Sequence, residues 1–125
     1  MVPRSKCPDS VPRILVVDHN PGIRRFVHRI LRKFEVTTVQ SAAEACRLAA
    51  RLQDPVDLLI VQFDDAGMNR KGLVREFRKH FPRIRILFTG ETVDHEVVHE
   101  HCYWLKAPFS AYELKQKLEK IFSIN

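Results

Sequence analysis

Two runs of this chain, Ile14-Leu15-Val16-Val17 and Leu58-Leu59-Ile60-Val61, are apolar at every position, and a third, Ile84-Arg85-Ile86-Leu87-Phe88, is broken only at Arg85. A strand with one wet face alternates apolar and polar residues, so a continuous apolar run must be buried on both sides. That is the mark of a parallel sheet covered by helices on both faces. Helical spacing fills the gaps between the runs. Ile23, Phe26, Val27, Ile30, Leu31 and Phe34 fall on one helical face, and Leu114, Leu118, Ile121 and Phe122 line another near the end. From Arg13 onward the alternation of strand and helix is that of a doubly wound α/β domain.

Local signals set the element boundaries. Asn20 is placed to cap a first helix, with Pro21 in its first turn. A strand is expected at Glu35 to Val39. Ser41-Ala42-Ala43-Glu44 and Ser110-Ala111-Tyr112-Glu113 have the form of capping boxes that open a second and a last helix. A third strand is expected from Leu58 to Phe63, and a helix from about Gly72 to His80, stopped by Pro82. A fourth strand runs to Phe88, a short helix covers roughly Asp94 to Glu100, and a short strand lies near Tyr103 to Lys106. The sum is five strands and five helices in residues 13–125. Residues 1–12, with Pro3, Pro8 and Pro12, read as an extended tail.

At 125 residues and 45% hydrophobic content, the chain is one domain with enough apolar material for a core. No apolar stretch approaches the roughly 20 residues needed to cross a bilayer, and the first residues are polar and proline-broken, unlike a secretory leader. A cytoplasmic protein is the expectation. Cys7, Cys46 and Cys102 are odd in number and widely spaced, so reduced thiols are expected and not a disulfide framework or zinc site. A net charge of +6 favours acidic partners.

Four blocks in order, Val16-Val17-Asp18-His19, Val61-Gln62, Phe88-Thr89-Gly90 and Trp104-Leu105-Lys106-Ala107-Pro108-Phe109, resemble the receiver domain of two-component response regulators, the CheY-like family. The resemblance covers about Arg13 to Phe122 and implies a flavodoxin-like, five-stranded parallel sheet of order 2-1-3-4-5. In such sheets ligands bind beyond the carboxyl ends of the strands, between the first and third. The family ends its first strand in an acidic pair, its third in the phosphate-accepting aspartate and its fourth in Ser/Thr, and follows its fifth with Lys-Pro-Phe. Here the corresponding residues are Asp18 with His19, Gln62, Thr89 and Ala107. Two of five chemical positions are kept.

The departures share one chemistry. A glutamine amide is uncharged and a poor nucleophile, so Gln62 cannot form the acyl phosphate. Mg²⁺ prefers carboxylate oxygens, and His19 with Gln62 replaces two of them by neutral groups. Ala107 removes the lysine that the family pairs with the acceptor and its phosphate, so lysine and partner anion are missing together. The resemblance also matches Trp104 to the aromatic that moves inward with Thr89 in the family; the plainer reading is an aromatic packed on the sheet edge. A frame moved by two residues instead makes Asp64 the acceptor, with Gly72 as the loop-closing glycine. That frame puts Gln62 inside a buried strand and takes Asp57 from its place five residues before the acceptor.

Two further patterns stand outside this scheme. His95-Glu96-Val97-Val98-His99 matches HExxH, in which two histidines bind zinc and the glutamate acts as general base. A solvated polar helix is the plainer account of a short segment inside a complete α/β frame. Arg24, Arg25, His28, Arg29, Arg32 and Lys33 make the outer face of the first helix basic. That face suits an ordinary solvated surface or a docking surface for an acidic partner. No aromatics interleave with the charges, so sequence-specific nucleic-acid binding is not expected.

The leading expectation is a stand-alone receiver-like domain of phosphorelay signalling that does not accept phosphate and acts by binding a signalling protein. It names no catalytic residue, no metal and no cofactor. The rivals are a receiver phosphorylated on Asp64 with a rebuilt Mg²⁺ site, and a small zinc metallohydrolase using His95, Glu96 and His99. Oligomeric state is left open.

Overall fold

A computed structural model describes residues 11–62, 70–91 and 101–123. In chain order the elements are β1 (Arg13–Val17), α1 (Pro21–Ile30), β2 (Glu35–Val39), α2 (Ala42–Arg51), β3 (Leu58–Gln62), α3 (Arg70–His80), β4 (Arg85–Gly90), β5 (Cys102–Lys106) and α4 (Ala111–Ser123). The strands form one sheet of order β2-β1-β3-β4-β5 with every neighbouring pair parallel. Strand number and order are those expected. The described residues hold four helices, where five are expected from the sequence; the segment assigned to the other, Asp94 to Glu100, lies outside the described residues. Residues 1–10 of the expected tail also lie outside them.

The period-2 alternation of each strand divides the core into two layers. Leu15 and Val17 of β1, Leu59 and Val61 of β3 and Ile86 and Phe88 of β4 pack on one face with Ala45 and Ala49 of α2 and Val74 and Phe77 of α3. Ile14 and Val16, Leu58 and Ile60, and Leu87 pack on the other with Val27 of α1 and with Leu114, Leu118 and Ile121 of α4. Most of these side chains are under 5% exposed, so every central strand is covered on both sides, as its apolar run requires. Truncating one of them to alanine removes on the order of 2–5 kcal/mol.

The register is pinned at the amino edge by Asp57. Its carboxylate accepts the Arg13 N–H at 2.8 Å, and its own N–H donates to the Arg13 carbonyl at 2.8 Å. The Arg85 N–H then donates to the Asp57 carbonyl, tying the starts of β1, β3 and β4 together. Helix starts follow the expected cap chemistry. Asn20 Oδ1 accepts the N–H groups of Gly22 and Ile23, and Ser41 Oγ accepts the Glu44 N–H. At α4 the capping is reciprocal: Ser110 Oγ accepts the Glu113 N–H, and the Glu113 carboxylate accepts the Ser110 N–H.

The apolar stripe of α1 is only partly covered: Val27 and Leu31 are 1% exposed, but Ile23 and Phe26 are 36% and 37% exposed. The first turns of the stripe stay exposed, and the Phe26 ring lies beside that of Phe109, at a centroid separation of 6.2 Å.

Candidate functional site

A crevice at the carboxyl edge follows from the winding. β1 feeds α1, which lies on one face of the sheet, and β3 leads toward α3, which lies on the other. In a sheet wound this way the ends of β1 and β3 form the switch point, where ligands bind in such folds. Side-chain parity then decides what points where. Asp18 continues the phase of Ile14 and Val16, Gln62 that of Leu58 and Ile60, and Thr89 that of Leu87. All three belong to the α1/α4 side.

Asp18 is buried, 6% exposed. Its N–H donates to the Val39 carbonyl at 3.1 Å, which fixes the end of β1 against β2. Its Oδ1 accepts the Asn20 N–H at 2.9 Å, and its carbonyl accepts from the Arg24 guanidinium at 2.7 Å. The acid is therefore part of the turn into α1. His19 is exposed. Gln62 is the last residue of β3 and stands opposite Thr89 in register. Its residue is half-buried, yet its Oε1 is fully buried and has no hydrogen-bond partner among the described residues. Thr89 is 4% exposed. On the next strand, Gly90 pairs with Lys106, and the Ala107 N–H donates to the Gly90 carbonyl at 2.7 Å, so Ala107 follows the end of β5 beside Thr89's strand. The Ala107–Pro108 peptide is cis.

Trp104 lies on the other face. It pairs with Phe88, and the rings stack at 4.8 Å and 24°. Thr89 pairs with Leu105, one position along, so the hydroxyl and the indole are on opposite sides of β4 and β5. Trp104 thus packs on Phe88 at the β4–β5 side of the sheet. The expected alternative acceptor Asp64 and the HExxH residues His95, Glu96 and His99 lie outside the described residues.

The described side chains do not suit Mg²⁺. The ion takes near-octahedral oxygen and usually one or two carboxylates. At the rim it would find one carboxylate already engaged by Asn20, one amide oxygen and an imidazole. Among the described residues, no three His, Cys, Asp or Glu side chains gather in a way that could hold a metal.

Two features of the site carry no clear sequence signal. Arg24 belongs to the basic face expected of α1, but it is recruited to the Asp18 carbonyl six residues earlier. With Arg25, His28 and Arg29, and with Pro21 and Thr38, it lines a shallow cavity of about 370 Å³. The second is the exposed apolar overhang of Ile23 and Phe26, next to Phe109, which follows Ala107-Pro108.

Comparison with known proteins bears on this arrangement. No protein-family model matches the chain. The two-component response regulator ARR11 of Arabidopsis thaliana is 33% identical over 109 residues, which is 82% of this chain but 21% of that protein. The chemotaxis protein CheY of Pseudomonas aeruginosa is 29% identical over 121 residues, 88% of this chain and 95% of that one. The structure of the chemotaxis response regulator CheY4 of Vibrio cholerae superposes with a TM-score of 0.77 at 22% identity, covering 90% of this chain and 99% of that one. Sequence and fold both support a CheY-like receiver domain. The chain spans about a fifth of the plant regulator's length and nearly all of the chemotaxis protein's. No helix of the described part is long and apolar enough to cross a membrane.

Proposed function

We propose that this receiver is a phosphorylation-independent binding module of two-component signalling: a degenerate receiver that docks on a signalling protein and catalyses no reaction. The observation that carries this reading is the register of Gln62 against Thr89 at the ends of β3 and β4. The resemblance places the acceptor aspartate opposite that hydroxyl, and an amide there has neither the charge nor the nucleophilicity to take a phosphoryl group. Asp57 supports the same frame. It starts β3 by bridging to β1 and β4, five residues before Gln62. Ala107 supports it again, since the end of β5 offers a methyl group where the family offers an ammonium.

Binding in this reading uses a permanently folded surface. The exposed pair Ile23 and Phe26, with Phe109, puts apolar area beside the crevice, and the basic α1 face next to it favours an acidic partner. Neither feature needs a phosphate to be presented.

The test is covalent. The full chain is incubated with a small phosphoryl donor and Mg²⁺ and its intact mass measured. The reading expects no phosphorylated species. A phosphorylated species that disappears in Asp64→Asn would establish the rival acceptor and end the proposal.

A further inference from the structure

The amino-terminal edge of the sheet carries a second surface, one strand length (about 16 Å for five residues) from the crevice. α1 and α4 both run back toward this edge, and the end of α1 and the stretch of α4 from Lys115 to Ser123 flank a groove of about 930 Å³. Its floor is apolar: Ile30, Leu31, Phe34, Leu118 and Phe122, with the rings of Phe34 and Phe122 stacked at 5.8 Å. Its rim is basic: Arg29, Arg32, Lys33 and Lys115, against the single acid Glu119.

We infer that this groove is a docking site for an acidic amphipathic helix of a partner protein. Cations near a helix carboxyl end offset the helix dipole, and α1 has His28 and Arg29 in its last turn for that purpose. Arg32 and Lys33 beyond them, and Lys115 across the groove, add positive charge that the dipole does not require. None of the four rim cations has an ion-pair partner among the described residues. An amphipathic helix laid in such a groove covers the floor with its apolar stripe and sets its carboxylates against the rim.

Other occupants fit less well. A phosphate backbone would meet the rim but has nothing to bury on the partly exposed Ile30, Phe34 and Phe122, and Phe34 and Phe122 stack on each other, not outward as platforms for bases. A second copy joined groove to groove about a two-fold axis would oppose the same cations to themselves. The chain's own residues 1–10 carry Arg4 and Lys6 against Asp9, the wrong sign for the rim. The inference stands apart from the fate of the crevice, because the groove lies at the other edge of the sheet.

The probe is a synthetic peptide of about 16 residues with leucine at i, i+3, i+4 and i+7 and glutamate on its outer face. It is titrated into the isotope-labelled full chain and followed by amide NMR, with a glutamine-for-glutamate peptide and a DNA duplex as comparators. We expect saturable binding with shifts at Arg32, Lys33, Lys115 and Phe122, and at least tenfold weaker binding by the glutamine peptide. Arg32→Glu with Lys115→Glu, both at exposed positions, should weaken binding at least tenfold while leaving the thermal melt unchanged. Absence of saturable binding, unaltered affinity in the double variant, tighter binding of the duplex, or displacement of peptide by self-association of the chain would each overturn the inference.

Discussion

Replacing Gln62 by methionine should stabilise the fold. The Oε1 atom is buried and has no partner among the described residues, and an unsatisfied buried acceptor costs about 1–3 kcal/mol. Methionine keeps the unbranched shape and removes the acceptor, and each extra buried methyl or methylene adds about 0.8 kcal/mol. Because the residue as a whole is half-buried, the lower part of that range applies, giving a net gain of about 1 kcal/mol. For a domain of this size that is a rise of roughly 3–5 °C in Tm. Urea unfolding followed by the emission of Trp104, the single tryptophan, reads the change as a shift of midpoint at constant slope. A loss of 1 kcal/mol or more would refute the reasoning, because it would mean that the amide belongs to a satisfied polar network in the crevice.

Phe88→Ala should cost about 3–5 kcal/mol, since Phe88 is fully buried and carries the Trp104 stack, and native-state Trp104 emission should move to the red; an unshifted spectrum would contradict the stack. Ser110→Ala should cost about 1 kcal/mol through loss of the α4 cap, measurable by chemical denaturation, and a neutral result would deny the reciprocal capping. Burial, and secondarily the Glu76 carboxylate, pushes the Cys46 thiol up from its ordinary value. Only the thiolate alkylates, so at mildly alkaline pH Cys46 should react more slowly than a free thiol, and its rate should keep climbing after the free thiol's has levelled. Peptide mapping after iodoacetamide treatment resolves that cysteine, and a rate profile equal to the free thiol's would disprove the shift.

The sheet was legible because its strands have no polar face to misassign. Ile14 to Val17 and Leu58 to Val61 can only be central and parallel, and Asn20-Pro21 and the two serine-led caps mark where helices begin. Less was legible wherever the deciding contact joins distant segments. Periodicity placed Ile23 and Phe26 on the apolar face of α1 but carries no measure of how much sheet lies beneath it, so their exposure was hidden. Arg24 reads as one more surface cation until the turn brings it to the Asp18 carbonyl. The sequence assigns Asp18, Gln62 and Thr89 to one strand-end rim, since each sits at a fixed phase from a buried run. The orphaned oxygen of Gln62 was not visible, because satisfaction of an acceptor depends on neighbours that no spacing rule supplies. The groove between α1 and α4 is the extreme case: Lys33 and Lys115 line one surface only because the two helices pack side by side on the same face of the sheet.

Most direct is a titration of the full chain with Mg²⁺ and beryllofluoride, a mimic of the phosphoryl group, followed by Trp104 fluorescence. A receiver whose crevice lacks the acceptor and its metal ligands should give a flat, non-saturating trace, identical in Asp64→Asn. A saturable change lost in Asp64→Asn would contradict the account, because it would restore to this crevice the anion chemistry that Gln62, His19 and Ala107 are argued to have removed.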